Sequence, residues 1–170
     1  LLPKHCLRKL YYAFVYPDIL YGFEIYANTC YSALDKLCKL NNKLLRILLN
    51  ATIETPVLEL YKSFDLLAIP VLFEFKLLVF VFDCLYRRQY LPEIFHNYFQ
   101  VNSDFHDHNT RQRSNLHFEL VQSSSGQRQT SFCASKFWNS LPQPLKNYTC
   151  RNSFKNCLLY TSPSPRDISG

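Results

Sequence analysis

The amino-acid sequence predicts a mainly α-helical protein, in which a helical bundle over residues 1–99 is followed by a small α+β module with a β-hairpin over residues 100–157. Three observations carry this prediction. Apolar residues recur at helical spacing in the first part of the chain, prolines stand where helices would begin, and the composition becomes polar and turn-rich after residue 99. An apolar stripe on a helix needs a core to cover it, so these helices should pack together.

The composition is that of a folded domain. Of the 170 residues, 48% are hydrophobic and 16% are aromatic, which is enough apolar surface to offset the entropy that a chain loses on folding. The sequence contains no Met, even at position 1. We therefore expect it to be the middle or the end of a longer protein.

The clearest predicted helix covers residues 31–51. An earlier helical segment, over residues 3–26, should be kinked by Pro17, which has no backbone N–H to donate. The apolar residues of the 31–51 helix fall at spacings of 4, 3, 4, 3 and 4, and they are Ala33, Leu37, Leu40, Leu44, Ile47 and Ala51. This stripe predicts that its leucine and isoleucine side chains are buried.

Proline marks the start of the next helices. Thr55-Pro56 predicts a short helix that ends near Ser63, and Ile69-Pro70 predicts a helix over 70–88. Pro92 opens a third, short segment over Glu93–Phe99.

The run Ile69–Phe82 is the most apolar part of the chain. It contains Glu74 and Lys76, and it is shorter than the about 20 apolar residues that a membrane-spanning helix needs. We expect a helix buried in a protein core, and no membrane partner.

The module over residues 100–157 should contain a β-hairpin. Apolar and polar residues alternate over Leu116–Val121, Ser123–Gly126 is turn-rich, and Gln127–Phe132 is suited to a second strand. A short helix over Ala134–Leu141 should end at Pro142, and another should run from Ser153 to about Leu159.

The end of the chain differs from the rest. Residues 160–170 have no apolar periodicity, and the string Cys157–Asp167 resembles translated sequencing-adapter read-through, so the predicted tail covers residues 158–170. We expect a disordered, non-native tail there.

Cysteine use predicts an intracellular protein of the nucleus or cytoplasm, and not a secreted one. The seven cysteines are odd in number and irregularly spaced, and they form no CxxC pair. This pattern is a poor framework for disulfides or a zinc site and is typical of reduced thiols. The N-terminal residues also lack the apolar core of a signal peptide.

No residue pattern predicts a catalytic or metal site. The three glycines stand alone, which excludes a Gly-rich phosphate loop, and no two acidic residues are adjacent. The segment Asp104-x-His106-Asp107-His108 contains residues that can bind metals, but its spacing matches no common site and favours a solvated loop. We expect no catalytic residue, metal or cofactor in this chain.

Basic residues are the candidates for binding. The 31–51 helix carries one cluster and the C-terminal module a second, and their members are Lys36, Lys39, Lys43 and Arg46, and Arg111, Arg113 and Arg128. Cations neutralise phosphates and aromatic rings stack on bases, so we predict contacts with nucleic acid. Because a net charge of +6 is moderate, an ordinary solvated basic face is the alternative.

Six segments, in this order and at these spacings, resemble one family. They resemble the region behind the polymerase core of non-LTR retrotransposon reverse transcriptases of the jockey/CR1 type, over roughly residues 5–158. The most specific marks are Asn109-Thr110-Arg111-Gln112, Trp138-Asn139-Ser140-Leu141-Pro142 and Phe154-Lys155. The segments themselves cover residues 10–29, 34–51, 55–82, 91–99, 108–118 and 135–158.

The resemblance implies a fragment made of the thumb and the region after it. The parent would copy RNA into DNA with Mg²⁺ ions held by an Asp-Asp signature in its palm, and this sequence has no such pair. The fragment would hold the RNA/DNA template–primer duplex beside the upstream palm and fingers of the same polyprotein. It would not be an enzyme alone.

Two alternatives stay open. One is a helical nucleic-acid-binding or protein-interaction module with no polymerase parent. The other is an intracellular helical scaffold.

Overall fold

The computed structural model describes residues 2–29, 31–105, 113, 115–118 and 121–161, and over these residues the chain is mainly α-helical, as predicted. It divides into two compact units: unit 1 runs to Leu72 and unit 2 begins at Phe73. This division falls inside a helix, whereas the composition places a domain boundary after residue 99. The compositional boundary stays a prediction.

Unit 1 begins with an almost continuous helical segment, as predicted for residues 3–26. Its elements are α1 (Lys4–Leu10), a π-helical turn (Tyr11–Val15), α2 (Tyr16–Leu20) and α3 (Phe23–Tyr26). Pro17 lies in the first turn of α2, where a missing N–H is tolerated, and the wider π-helical turn comes directly before it. Gly22 separates α2 from α3 with a φ of 62°, a left-handed conformation that glycine adopts at little cost.

The remaining helices of unit 1 also form near their predicted positions. They are α4 (Tyr31–Leu49), α5 (Val57–Phe64) and the start of α6 (Ile69–Tyr86), which continues into unit 2. Asn50 ends α4 with a φ of 50°, a conformation that asparagine tolerates better than most residues. The core of this unit includes Tyr11, Phe23, Leu60 and Phe64, which are all at most 2% exposed.

The predicted buried face of α4 is wrong. Leu40 is 65% exposed and Ile47 is 67% exposed, while Leu37 and Leu44 are only half-buried. Over residues 32–49, the buried residues of α4 are instead Asn41 and Leu45. A second stripe lies beside the predicted one, and it consists of Leu34, Cys38, Asn41, Leu45 and Leu48. The core of unit 1 covers this second stripe, in which Asn41 is the one polar residue.

Helix α6 is buried along most of its length, as its apolar sequence predicted. Leu77, Val81 and Phe82 are fully buried, and Cys84 is 2% exposed. None of the described helices is both long enough and apolar enough to cross a membrane.

Over its described residues, unit 2 is built from α6, short 3₁₀ turns and three further helices. The 3₁₀ turns are Arg88–Tyr90, Glu93–Phe95, Asn102–Asp104 and Gly126–Arg128, and the helices are α7 (Thr130–Ser140), α8 (Gln143–Lys146) and α9 (Arg151–Thr161). Phe154 of α9 stacks on Phe82 of α6 at 4.6 Å between ring centroids and lies 5.7 Å from the indole of Trp138. Arg151 forms a bidentate ion pair with Asp83, with contacts of 2.8–3.0 Å.

The predicted β-hairpin is wrong. Residues Gln127–Phe132 form the end of a 3₁₀ turn and the start of α7 instead of a strand. Leu116 makes a single antiparallel bridge with Val101, and the described residues contain no other strand pairing. The side-chain amide of Asn139 takes the place of a partner strand, because it accepts from the backbone N–H of Leu116 at 2.8 Å and donates to its carbonyl at 2.9 Å.

The last helix extends into the segment expected to be disordered. Leu158 is 4% exposed and α9 continues to Thr161. The rest of that segment, residues 162–170, lies outside the described residues.

Candidate nucleic-acid interface

The four predicted cations of α4 lie on one stripe of the helix. Lys36, Lys39, Lys43 and Arg46 follow one another at spacings of three, four and three residues within α4, so their side chains leave the helix on the same side. The three lysines are exposed and Arg46 is half-buried. The cationic stripe is therefore accessible to a ligand.

A concave surface, which we call the cationic groove, lies between the C-terminal half of α4 and the start of α5. It encloses about 720 Å³, and its cations are Lys39, Lys43 and Arg46. Its apolar wall includes Ile47, Ile53 and Val57. None of the described residues that line the groove carries a carboxylate. The groove thus presents positive charge beside apolar surface.

Arg46 also holds the loop that forms one side of the groove. One terminal guanidinium nitrogen is 3.4 Å from the carbonyl oxygen of Thr55, and the Arg46 carbonyl accepts from the N–H of Ala51 at 2.9 Å. Thr55 in turn donates its backbone N–H to Thr52 at 3.2 Å. The loop between α4 and α5 is therefore closed on the helix that carries the cations.

Two polar atoms beside the groove have no hydrogen-bond partner in the described part of the chain. They are Oδ1 of Asn42 and Nε of Arg46, which are both buried and belong to residues that line the groove. A buried donor without a partner costs free energy, typically about 1–3 kcal/mol. A phosphate oxygen or a water molecule that reaches Nε of Arg46 would remove that cost.

One groove cation already has an acidic neighbour. Nζ of Lys39 is 2.6 Å from Oδ2 of Asp35, one helical turn away. The pair is partly exposed, and such pairs contribute little to stability. Its main effect is to lower the positive potential at the Lys39 end of the groove, which leaves Lys43 and Arg46 as the stronger anion ligands.

The second predicted cluster lies in unit 2. Arg113 and Arg128 are exposed, and Arg128 ends the 3₁₀ turn that precedes α7. Arg111 lies outside the described residues, and so do His106, Asp107 and His108 of the segment considered as metal ligands.

The sequence contained a signal for the burial of Asn41 that the periodicity argument missed. Asn41 and Asn42 are adjacent in the middle of α4, and asparagine disfavours helix interiors because its side chain competes for backbone hydrogen bonds. Such a residue is often retained for a tertiary hydrogen bond, and Asn41 makes two. Ile53 and Val57 were missed as groove residues because Ile53 lies in the irregular loop after α4 and Val57 belongs to the next helix, α5.

The described residues contain no cluster of three or more His, Cys, Asp or Glu side chains that would hold a metal ion. No protein-family model, curated protein or solved structure matches the chain.

Proposed function

We propose that this chain is a fragment of a non-LTR retrotransposon reverse transcriptase that holds the template–primer duplex by its sugar-phosphate backbone. The observation that carries the proposal is the cationic groove, where Lys39, Lys43 and Arg46 surround a concave surface whose described lining residues carry no carboxylate. The family resemblance of the sequence supplies the polymerase parent.

The length of the cationic stripe suits a nucleic-acid backbone. Ten residues separate Lys36 from Arg46, which corresponds to about 15 Å along a helix that rises 1.5 Å per residue. Phosphates follow one another at about 3.4 Å per strand along a B-form axis. The stripe can therefore meet several phosphates of one strand, without any contact that reads the base sequence.

The fragment itself carries no polymerase chemistry in this proposal. Phosphoryl transfer to a primer needs metal ions held by converging carboxylates, and these would belong to the upstream palm of the parent. The cationic groove contributes by positioning the duplex for groups that it does not supply.

Salt titration of duplex binding tests the role of the groove. We expect the full chain to bind RNA–DNA and unrelated duplexes alike, with log affinity falling linearly with log salt at about −0.9 per phosphate contacted on a B-form duplex. The double variant Lys39→Gln/Lys43→Gln should weaken binding to every sequence and flatten the slope. The matched control is Lys9→Gln/Lys62→Gln, which removes the same charge from exposed residues outside the groove.

Absence of binding at low salt would remove this role from the chain. An equal loss in the control variant would assign binding to net charge instead of the groove. The polymerase parent is tested separately, because the reading frame upstream of Leu1 in the genomic copy should encode an aromatic-x-Asp-Asp box.

A protein-interaction module is the second candidate, and the exposed apolar residues of α4 favour it. Leu40 and Ile47 are 65% and 67% exposed and lie seven residues apart, on one side of α4, and exposed apolar residues on one side of a helix are suited to a protein contact. The variant Leu40→Gln, at a residue outside the groove lining, separates the two candidates. It should leave duplex binding unchanged if the groove acts through its cations, and it should abolish a protein contact made by this face.

A further inference from the structure

Unit 2 contains a pocket of about 240 Å³, which we call the aromatic pocket. Five of its described wall residues carry rings, and they are Tyr98, Phe105, His117, Phe118 and Phe132. The volume is below the roughly 300–1,000 Å³ of pockets that take drug-sized ligands. It suits one flat ring system.

Four of these rings form two pairs with different geometry. Phe105 stacks on His117 with 4.0 Å between centroids and 26° between planes, whereas Phe118 meets Phe132 edge to face at 5.2 Å and 82°. Phe105 is 48% exposed. A planar ligand can therefore reach this ring and extend the existing stack.

The backbone positions the stack before any ligand binds. His117 donates its backbone N–H to the carbonyl of Gln100 at 2.7 Å, and the neighbouring residues Val101 and Leu116 form the antiparallel bridge. The imidazole is held as well, because Nδ1 of His117 lies 3.1 Å from Oδ1 of Asn102 and acts as the donor. In the neutral ring, Nε2 is then a hydrogen-bond acceptor.

The polar groups of the pocket match the edge of a heterocycle. Gln100 and Gln129 both line it and both are exposed. Each amide offers donors and an acceptor, as nucleobase edges do. No described wall residue carries a carboxylate, an ammonium or a guanidinium group, so the pocket favours a neutral ring.

Charges outside the pocket distinguish a nucleobase from a methylated ammonium group, which also binds among aromatic rings. Arg128 is exposed and directly precedes Gln129 in the chain. Arg113 is exposed too, and its carbonyl accepts from the N–H of Ser103, two residues before Phe105. Asp104 directly precedes Phe105, and its carboxylate accepts from the backbone N–H of Val101 at 3.3 Å. The two guanidinium groups outweigh this one carboxylate, so they repel a cationic ligand and attract phosphates, which flank every base of a nucleic-acid strand.

We infer that the aromatic pocket binds one unpaired nucleobase of a single-stranded nucleic acid. The base stacks on Phe105, the two glutamines bond its edge, and Arg113 and Arg128 attract the adjoining phosphates. This inference goes beyond the proposed function, because a duplex held by its backbone keeps its bases paired and has no use for the pocket.

Fluorescence of a base analogue in the strand tests the inference. The probe is a short uridine-rich RNA with one central 2-aminopurine, whose emission falls when the ring stacks, and the protein is the full chain. We expect the protein to quench the emission of the single strand. Adding the protein to the strand already paired with its complement should cause no further quenching. Phe105→Leu should weaken binding about ten-fold, within the range measured for loss of a stacked base. The control Phe14→Leu, at a ring 70% exposed in unit 1, should bind as the wild type does.

Gln129→Ala gives a second measurement that does not alter the stack. Gln129 makes no side-chain cap on α7, so this change should leave the helix intact and weaken quenching by several fold. If circular dichroism shows that Phe105→Leu does not fold, the inference is tested by the binding of Gln129→Ala alone. Wild-type affinity in every folded variant, or no quenching with the wild type at low salt, overturns the inference.

Two further ligands test whether the pocket binds a base within a strand, a free nucleotide or a methylated ammonium group. The free monophosphate of 2-aminopurine riboside should bind at least ten-fold more weakly than the strand, since it lacks the flanking phosphates that bring additional affinity. Equal affinities for the monophosphate and for the strand would overturn the assignment of a strand as the ligand and would identify the pocket as a site for a free nucleotide. Displacement of the RNA by a trimethyl-lysine peptide would overturn the assignment of a nucleobase as the ligand of the aromatic pocket. The variant Lys39→Gln/Lys43→Gln should lose duplex binding and keep the quenching of the single strand. This result would support the aromatic pocket as a binding site distinct from the cationic groove.

Discussion

The hydroxyl group of Tyr11 donates a 2.8 Å hydrogen bond to Oδ1 of Asn41, and both side chains are at most 3% exposed. Nδ2 of Asn41 donates in turn to the hydroxyl of Tyr61 at 3.0 Å. One amide thus joins the π-helical turn, α4 and α5. Because buried polar groups are stable only when they are paired, this chain of bonds specifies which face of α4 turns inward.

Removal of the Tyr61 hydroxyl should destabilise the protein. Tyr61→Phe leaves a buried Asn41 donor without its acceptor, and we expect a loss of about 1–3 kcal/mol in the free energy of unfolding at neutral pH. Urea denaturation measures this difference. Tyr21→Phe is the control, because Tyr21 is 87% exposed, and equal effects of the two changes would contradict the role of the buried bonds.

Alkaline pH should reduce the stability that Tyr61 contributes. Burial raises the pKa of Tyr61 to about 12, whereas the pKa of an unfolded tyrosine is about 10. The unfolded state therefore loses its proton first, so the contribution is complete below about pH 10 and is lost as the pH rises through the folded-state value. The stability difference between wild type and Tyr61→Phe should shrink over that window in urea titrations at successive pH values. A constant difference would contradict the raised pKa.

Truncation of two leucines of α4 should change the stability by very different amounts. Leu45 is 0% exposed, so Leu45→Ala leaves a cavity and should cost about 2–5 kcal/mol. Leu40 is 65% exposed, and Leu40→Ala should change stability by less than about 0.5 kcal/mol. Denaturation midpoints compare the two variants directly. A larger effect at Leu40 would restore the helical phase that the periodicity predicted.

The Asn139 amide should be essential for the segment around Leu116. Asn139→Ala removes both hydrogen bonds to the backbone of Leu116, a residue that is 1% exposed. We expect a loss of about 1–3 kcal/mol from the two unpaired backbone groups, together with faster amide hydrogen exchange at Leu116. Asn156→Ala, at an exposed position of α9, is the control and should leave both measurements unchanged.

Cysteine reactivity should follow exposure and thiolate character. Cys150 is exposed, and hydrogen bonds from Ser153 lower the pKa of its thiol. Cys84 is buried, and burial raises the pKa of its thiol to about 12. Because the thiolate is the reactive form, iodoacetamide should modify Cys150 in the native protein and Cys84 only after unfolding. Peptide mass mapping at increasing reaction times measures the order, and early labelling of Cys84 would contradict its burial.

Local patterns were sufficient for the existence and position of most helices. The apolar spacing predicted α4, and prolines predicted the starts of α5 and α6, because proline fits the first turn of a helix and little of its interior. The charges of the cationic groove were equally visible, since Lys39, Lys43 and Arg46 share a helical spacing. These patterns could not predict the conformation of the loop between α4 and α5, which makes the surface beside the cationic stripe concave.

The sequence by itself determined that this chain is helical, where its long helices lie and which cations share one side of α4. The tertiary structure decided which face of α4 is buried and which partner Leu116 takes. Periodicity records which residues lie together on a helix, but not which of two apolar stripes another element covers. That choice depends on contacts such as Tyr11 with Asn41 and Leu116 with Asn139, which join residues far apart in the chain and leave no local pattern.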